Sequence, residues 1–353
     1  MRVGVSNGGI AVQPIRLRRA RAGALGLALM GLALLVAVLP AGQALAATPS
    51  TRLQASDLGT LGGCCSFATG INDRGEVVGY SDVAETAAHA FLWRRGAMTD
   101  LGTLGGPGSS AADVNNRGEV VGESNPADLS SHAFLWRRGT MTDLGTLGGA
   151  ESAATAINQR GEVVGWSDTA AGERHAFRWR RGTMTDLGTL PGDSLSLAYG
   201  INDRGQVVGQ SSSGPVRWQR GAMTRLASPK GATYGAAFDI NNRGDIVGYA
   251  GFPSGFSINR AVLWRNGVVV DLGTPATGNS MAIGINDRRQ IVGWSDRPDG
   301  SFGAFLWKRG TMTALRSLTG NGGQAEAINN RGQVAGSGPA PEDPMLTHAV
   351  LWR

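Results

Sequence analysis

Short apolar runs alternate with polar, Gly-bearing turns along nearly the whole chain, and after residue 46 the runs recur in a fixed order. One reads I-N-x-R-G-x-V-V-G, as at Ile71–Gly79. Another reads H-A-F-L-W-x-x-G-x-M-T-D-L-G, as at His89–Gly102. The Asn of the first motif returns at Asn72, Asn115, Asn158, Asn202, Asn241, Asn286 and Asn329, with gaps of 39 to 45 residues. The Trp of the second returns at Trp93, Trp136, Trp179, Trp218, Trp264, Trp307 and Trp352. Both series count seven. Internal repetition at this period decides the architecture before any single residue does.

Each repeat holds four strand-like pieces: A-x-x-I-N, E-V-V-G-x-S, H-A-F-L-W and M-T-D-L-G-T-L. Runs rich in β-branched and aromatic residues, punctuated by Gly, are strand signals. No Gly-free stretch after the leader exceeds sixteen residues, and this leaves no room for a helical layer. N-x-R-G fits a type I turn followed by a left-handed Gly, and W-R-R-G is expected to turn by the same logic. Repeat six carries Arg289 in place of that Gly, which predicts a strained or differently shaped turn there. The expected fold is all-β, a seven-bladed β-propeller of four-stranded antiparallel blades. The chain ends add a closure. The last repeat stops at Leu351-Trp352-Arg353 after its third strand, and Thr51–Leu61 supplies an orphan fourth strand. The N-terminal strand is therefore expected to close the ring and leave no open edge.

Ala stands four residues before each repeat Asn, from Ala68 to Ala325, and a period of two puts the residue two before it on the same face. Small residues there suit an inner strand beside a central channel. Asp113 and Asp239 break the rule in blades two and five. The H-A-F-L-W, I-N-x-R-G and D-L-G-T-L-G-G motifs resemble the HAF-type extracellular repeat of bacteria. His89-Ala90-Phe91, His132-Ala133-Phe134 and His175-Ala176-Phe177 carry its naming triplet, whereas repeats four to seven depart from it. The resemblance spans nearly all of the chain after the leader. It implies an exported, repeat-built protein and carries no defined activity, cofactor or catalytic residue.

Composition changes the picture at the N-terminus. Five of the 33 Lys and Arg fall within the first 21 residues, so 28 basic residues face 27 acids in the rest. A nearly neutral body excludes a whole-body field for nucleic acid. The Arg-rich start, the apolar run Ala22–Leu39 and the small residues Ala44-Leu45-Ala46 read as a signal peptide over residues 1–46, ahead of one propeller domain over 47–353. The expected location is secreted, with an uncleaved leader anchoring the protein to the membrane as the alternative. No membrane span is expected once the leader is cut. The export route, general or twin-Arg, stays open at Arg18-Arg19.

The candidate chemistry is sparse. All four His occupy one repeat position, which points to strand-edge hydrogen bonding. The Asp of T-D-L-G is expected to pair with an Arg or with backbone. Cys64 and Cys65 are adjacent; a vicinal disulfide, two free thiols or a bridge to another chain all fit. Asp113 and Asp239 read as solvated channel residues or as a pair for acid–base or cation chemistry. Tyr80, Trp166, Tyr249 and Trp294 pack between blades or stack on sugars. The N-x-R-G and W-x-x-G turns put a run of Arg on one rim, Arg95, Arg138 and Arg181 among them. The acids concentrate on the other rim. These Arg either pair with neighbours such as Glu76, Glu119 and Glu162 or dock on an anionic polymer. The variable loops Ala250–Asn259 and Ser337–Thr347 are candidates for a partner site. The expected function is a non-enzymatic binding or structural module at the cell exterior. It is expected to be monomeric, without metal or cofactor, and to meet a protein or cell-wall polymer. The alternative is an extracellular glycan hydrolase or lyase.

Overall fold

A computed structural model describes residues 53–84, 87–253, 258–274, 278–297, 299–320 and 322–353. The leader reading over 1–46 and part of the Ala250–Asn259 loop lie outside them. The described residues contain no helix and form seven separate four-stranded antiparallel sheets. Blade one is typical, with strands Ser66–Ile71, Val77–Ala84, Ala87–Arg94 and Ala97–Asp100. Blades two to six repeat this meander. The seventh takes three strands from the C-terminus, Gln324–Ile328, Val334–Pro339 and Thr347–Trp352. Its fourth is Ala55–Asp57, which pairs with the last strand in the register Ala55↔Trp352, Ser56↔Leu351 and Asp57↔Val350. The ring thus closes as the half-repeats require.

The hydrophobic core is seven layers, each between two neighbouring blades. Leu92 and Leu101 of blade one, for example, pack with Ala111, Val120 and Phe134 of blade two. The Ala four before each repeat Asn is buried in such a layer. Period two does not continue to the next position, because every first strand bulges there. Ala68 pairs with Gly79 and Gly70 with Val78, leaving Thr69 as the extra residue, and the same step recurs in all seven blades. A bulge kinks and re-aims a strand. It also explains the invariant Gly of V-V-G: a Cβ on Gly79 would overlap the Phe67 carbonyl.

The two turn types differ, against the sequence expectation. N-x-R-G keeps its left-handed Gly, and Arg289 adopts φ 61° in its place. Arg289 is held there by its Nε, 2.7 Å from Asp245 Oδ2 of blade five. W-x-x-G is instead a two-residue hairpin. Arg94 pairs with Ala97, and both residues between them have positive φ, 53° at Arg95 and 87° at Gly96. That is a type I′ turn, whose twist matches the strands it joins.

Candidate functional site

The seven first strands surround an axial channel. Its narrow mouth, about 160 Å³, is lined by the N-x-R-G turns. There the repeat Asn does two jobs. Asn72 Oδ1 accepts the Arg74 and Glu76 N–H groups at 3.0 Å each, which shapes its own turn. Its Nδ2 donates to the carbonyl of Asn115 in the next blade at 3.0 Å. The same bond passes from blade to blade at 2.9–3.2 Å until Asn329 donates to Asn72, completing a ring. A second ring runs beside it. Each residue after the Asn donates its N–H to the side-chain oxygen of its counterpart one blade on, from Asp73 to Asn116 and round to Asn330 and Asp73, at 2.7–2.9 Å. Asp, Asn or Gln fills that position in every repeat, and this was the signal available in the sequence.

The wider part of the channel, about 430 Å³, is walled by the bulged residues Thr69, Thr155, Tyr199, Phe238 and Glu326 together with Asp113 and Asp239. Both Asp bridge blades. Asp113 accepts the N–H groups of Val114 at 2.7 Å and of Ile157 in blade three at 3.0 Å. Asp239 accepts those of Ile240 at 2.7 Å and Ile285 of blade six at 2.8 Å. Each keeps some exposure to the channel, but protein surrounds its carboxylate. Burial raises both above the ordinary carboxylate range, Asp239 to about 6 despite its two backbone donors, and the Asp113 charge adds to the rise. Glu326, also raised by burial, was not singled out in the sequence. Tyr199 packs edge-on to Phe238 at 5.5 Å, and burial first, then Tyr249, pushes its phenol up to about 12.

Tyr80, Tyr249 and Trp166 are half-buried and each meets a partner in its own blade, where packing between blades or on sugars was expected. Tyr80 stacks on Phe67 of its own blade at 4.9 Å, Tyr249 lies 5.5 Å from Phe238, and the Arg174 guanidinium covers Trp166 at 3.8 Å. Every His has the same repeat Asp as partner, and two add a Glu on the other ring nitrogen, Glu173 at 3.4 Å from His175 and Glu342 at 3.3 Å from His348. His89, His132 and His175 place Nδ1 2.7–2.8 Å from the T-D-L-G Asp of the same blade, Asp100, Asp143 and Asp186. His348 reaches Asp57 of the N-terminal strand at 2.9 Å, so the pair spans the ring closure. Blade five keeps the pair with Arg260 and Asp271 at 3.1 Å. Blades four and six lose both partners at once, with Gly214 and Arg225, and Gly303 and Ala314. That joint loss was the overlooked sign of pairing.

On the turn rim the Arg divide into two sets. Glu119 draws in Arg117 at 2.6 Å and Arg137 at 3.6 Å. Glu162 draws in Arg178 at 2.7 Å and Arg180 at 3.4 Å. Burial raises both Glu, but their bonds to Asn115 and Arg117, and to Asn158 and Arg178, outweigh it and hold them below the ordinary range. Arg95, Arg138 and Arg181 are exposed and make no ion pair or side-chain hydrogen bond among the described residues. On the opposite rim Cys64 and Cys65 are free thiols, with sulfurs 3.2 Å apart.

The fold is shared with solved structures. A puromycin-hydrolysing peptidase from Mycobacterium tuberculosis superposes with a TM-score of 0.51 at 12% identity, over 85% of this chain and 51% of that one. TolB from Acinetobacter baumannii gives 0.44 at 12% identity, over 71% of this chain and 61% of its own length. A gluconolactonase from Xanthomonas campestris gives 0.41 at 13% identity, over 85% and 89%. At 12% identity the likeness to the peptidase is one of fold alone. No protein-family model matches the chain, and no curated protein does.

Proposed function

We propose that the chain is an exported, non-enzymatic propeller that binds an anionic polymer at the bacterial cell exterior through its turn rim. One observation carries this reading. A type I′ turn needs positive φ at both central residues, and Asn-Gly suits it best. Blade five has that pair, Asn266-Gly267, whereas the equivalent turns of blades one, two, three, four and six hold Arg95, Arg138, Arg181, Arg220 and Arg309 at φ 51–54°. A left-handed Arg costs roughly 1 kcal/mol relative to its ordinary conformation. Turn geometry does not select Arg here, and Arg95, Arg138 and Arg181 have no acid beside them to account for their charge. A ring of outward guanidinium groups matches phosphate or carboxylate groups spaced along a polymer. The polar residues that could do chemistry support the non-enzymatic side. The same His–Asp pair recurs in four blades, as a scaffold contact does, and Asp113 and Asp239 each hold backbone N–H groups of two blades.

Binding of the purified propeller to isolated polyanionic wall polymer tests the reading, measured between about 10 mM and 150 mM salt, across which the screening length falls severalfold. Affinity should fall steeply with salt. The triple variant R95N/R138N/R181N should lose most of the low-salt affinity while its thermal midpoint stays equal or rises, since Asn suits the turn. Absence of binding at low salt, or full binding by the triple variant, would overturn the reading.

A further inference from the structure

Most scaffold side chains of this chain, such as the repeat Asn and Trp, recur in every blade, whereas its two Cys occur once, at Cys64 and Cys65. They lie where the chain enters the first strand of blade one, beside the end of its second strand. The approach is fixed by backbone. Gly63 N–H donates to the Asp82 carbonyl at 3.0 Å, and Asp82 N–H donates to the Cys65 carbonyl at 2.9 Å. A Cβ on Gly63 would stand 2.5 Å from the Asp82 Cβ, so only Gly permits the contact. Cys64 Sγ consequently sits 3.2 Å from Cys65 Sγ and 3.0 Å from Asp82 Oδ2. The three donor atoms all lie within 4.8 Å of one another.

Blade three shows what the same corner holds elsewhere. Glu151 stands in the place of Cys65 and Asp168 in that of Asp82. Arg174 bridges them, with Nε 2.7 Å from Asp168 Oδ1 and Nη2 2.8 Å from Glu151 Oε2. Arg174 pairs across the strands with Asp168, and the residue that pairs in this way with Asp82 is Ala88. The blade-one corner therefore has an acid and two thiols where blade three has two acids, and it lacks the built-in cation.

We propose that Cys64, Cys65 and Asp82 form a binding site for a thiophilic divalent cation of the zinc class, with its fourth position open to solvent. Two sulfurs and a carboxylate oxygen are a donor set that favours zinc over the hard cations. Metal–sulfur bonds of about 2.3 Å in a tetrahedron separate the sulfurs by roughly 3.7 Å. A rotation of the exposed Cys64 side chain reaches that from the present 3.2 Å. The thiol protons pass to solvent as the ion binds. The hydrogen bond to Asp82, followed by that to Cys65, pushes the Cys64 thiol up to about 12 in the unliganded form, so protons compete with the ion.

Cobalt(II) is the probe, added to the full propeller after reduction with a phosphine. The expected result is a sulfur-to-cobalt charge-transfer band at one equivalent, bleached by zinc. C64S/C65S should abolish the band, and D82N should weaken binding by about tenfold or more. A88R tests the internal comparison, because it supplies the guanidinium that blade three carries on an identical fold. It should suppress the band while leaving far-UV circular dichroism unchanged. No band in the reduced protein, or a band that survives C64S/C65S, would overturn the proposal. A band untouched by both D82N and A88R would overturn the three-ligand form of the site.

Discussion

At the residue scale, one position shows how a repeat can depart from its own rule. The place two before the repeat Asn is Gly or Ala in five blades and Asp in two. In both cases the preceding blade places Gly against the Asp backbone: a Cβ on Gly70 would stand 3.0 Å from the Asp113 Cα, and one on Gly200 3.1 Å from that of Asp239. Each carboxylate then ties its blade to the next, at the cost of a raised pKa. For Asp239 the sign is opposite to that of a salt-bridged acid. Its folded pKa of about 6 exceeds the ordinary 3.8, so the folded state holds the proton more tightly. The contribution is fully present below about pH 4 and is lost as pH rises through about 6. The stability of the wild type minus that of D239A should therefore fall by about 1–3 kcal/mol between pH 4 and pH 7. Denaturant melts at several pH values measure it, and a flat difference would contradict the assignment. The two Asp were legible in the sequence as exceptions, but their partners were not. Nothing in a linear pattern shows that a backbone N–H some 44 residues away lies within reach.

At the scale of the element, the strands and their order were legible and their fine geometry was not. The bulge inserts one residue without altering the apparent motif, because the residue it adds is Thr, Ala, Tyr, Phe, Ile or Glu and has no common chemistry. The W-R-R-G turn misled for a physical reason. Arg at positive φ is disfavoured, and a reading by propensity moves the turn to a type that spares it. The closing strand is the opposite case, since its two halves were visible at the chain ends. Removing everything through Asp57 would bare the edge of Thr347–Trp352 and break the Asp57–His348 pair. The shortened propeller should melt at least about 5 °C lower than one starting at Leu53, several backbone hydrogen bonds being lost. It should also associate through the exposed edge. Calorimetry and sedimentation check both, and equal midpoints would show that closure adds nothing.

Across the propeller, the two axial rings and the Asp57–His348 pair make each blade a near-equal member of a circle, and the two ends of the repeat array meet at one turn site. Gln54 N–H donates to the Arg353 carbonyl at 2.9 Å, and Arg353 N–H donates back to that of Gln54 at 3.1 Å. This is the pairing that Arg94 and Ala97 make across their two-residue turn. The seam is thus a hairpin without its tip. In a chain trimmed to begin at Gln54, an Arg-Gly insert after Arg353 would restore the tip and join the ends head to tail, and the cut could move to any of the other six hairpins. A permuted chain opened between Arg220 and Gly221 should give the same far-UV circular dichroism and a midpoint within about 5 °C of the parent. A permutant that failed to fold would mean that the seam must lie in blade seven. For a ring of this kind, sequence order is then a convention of synthesis, and any blade can be first.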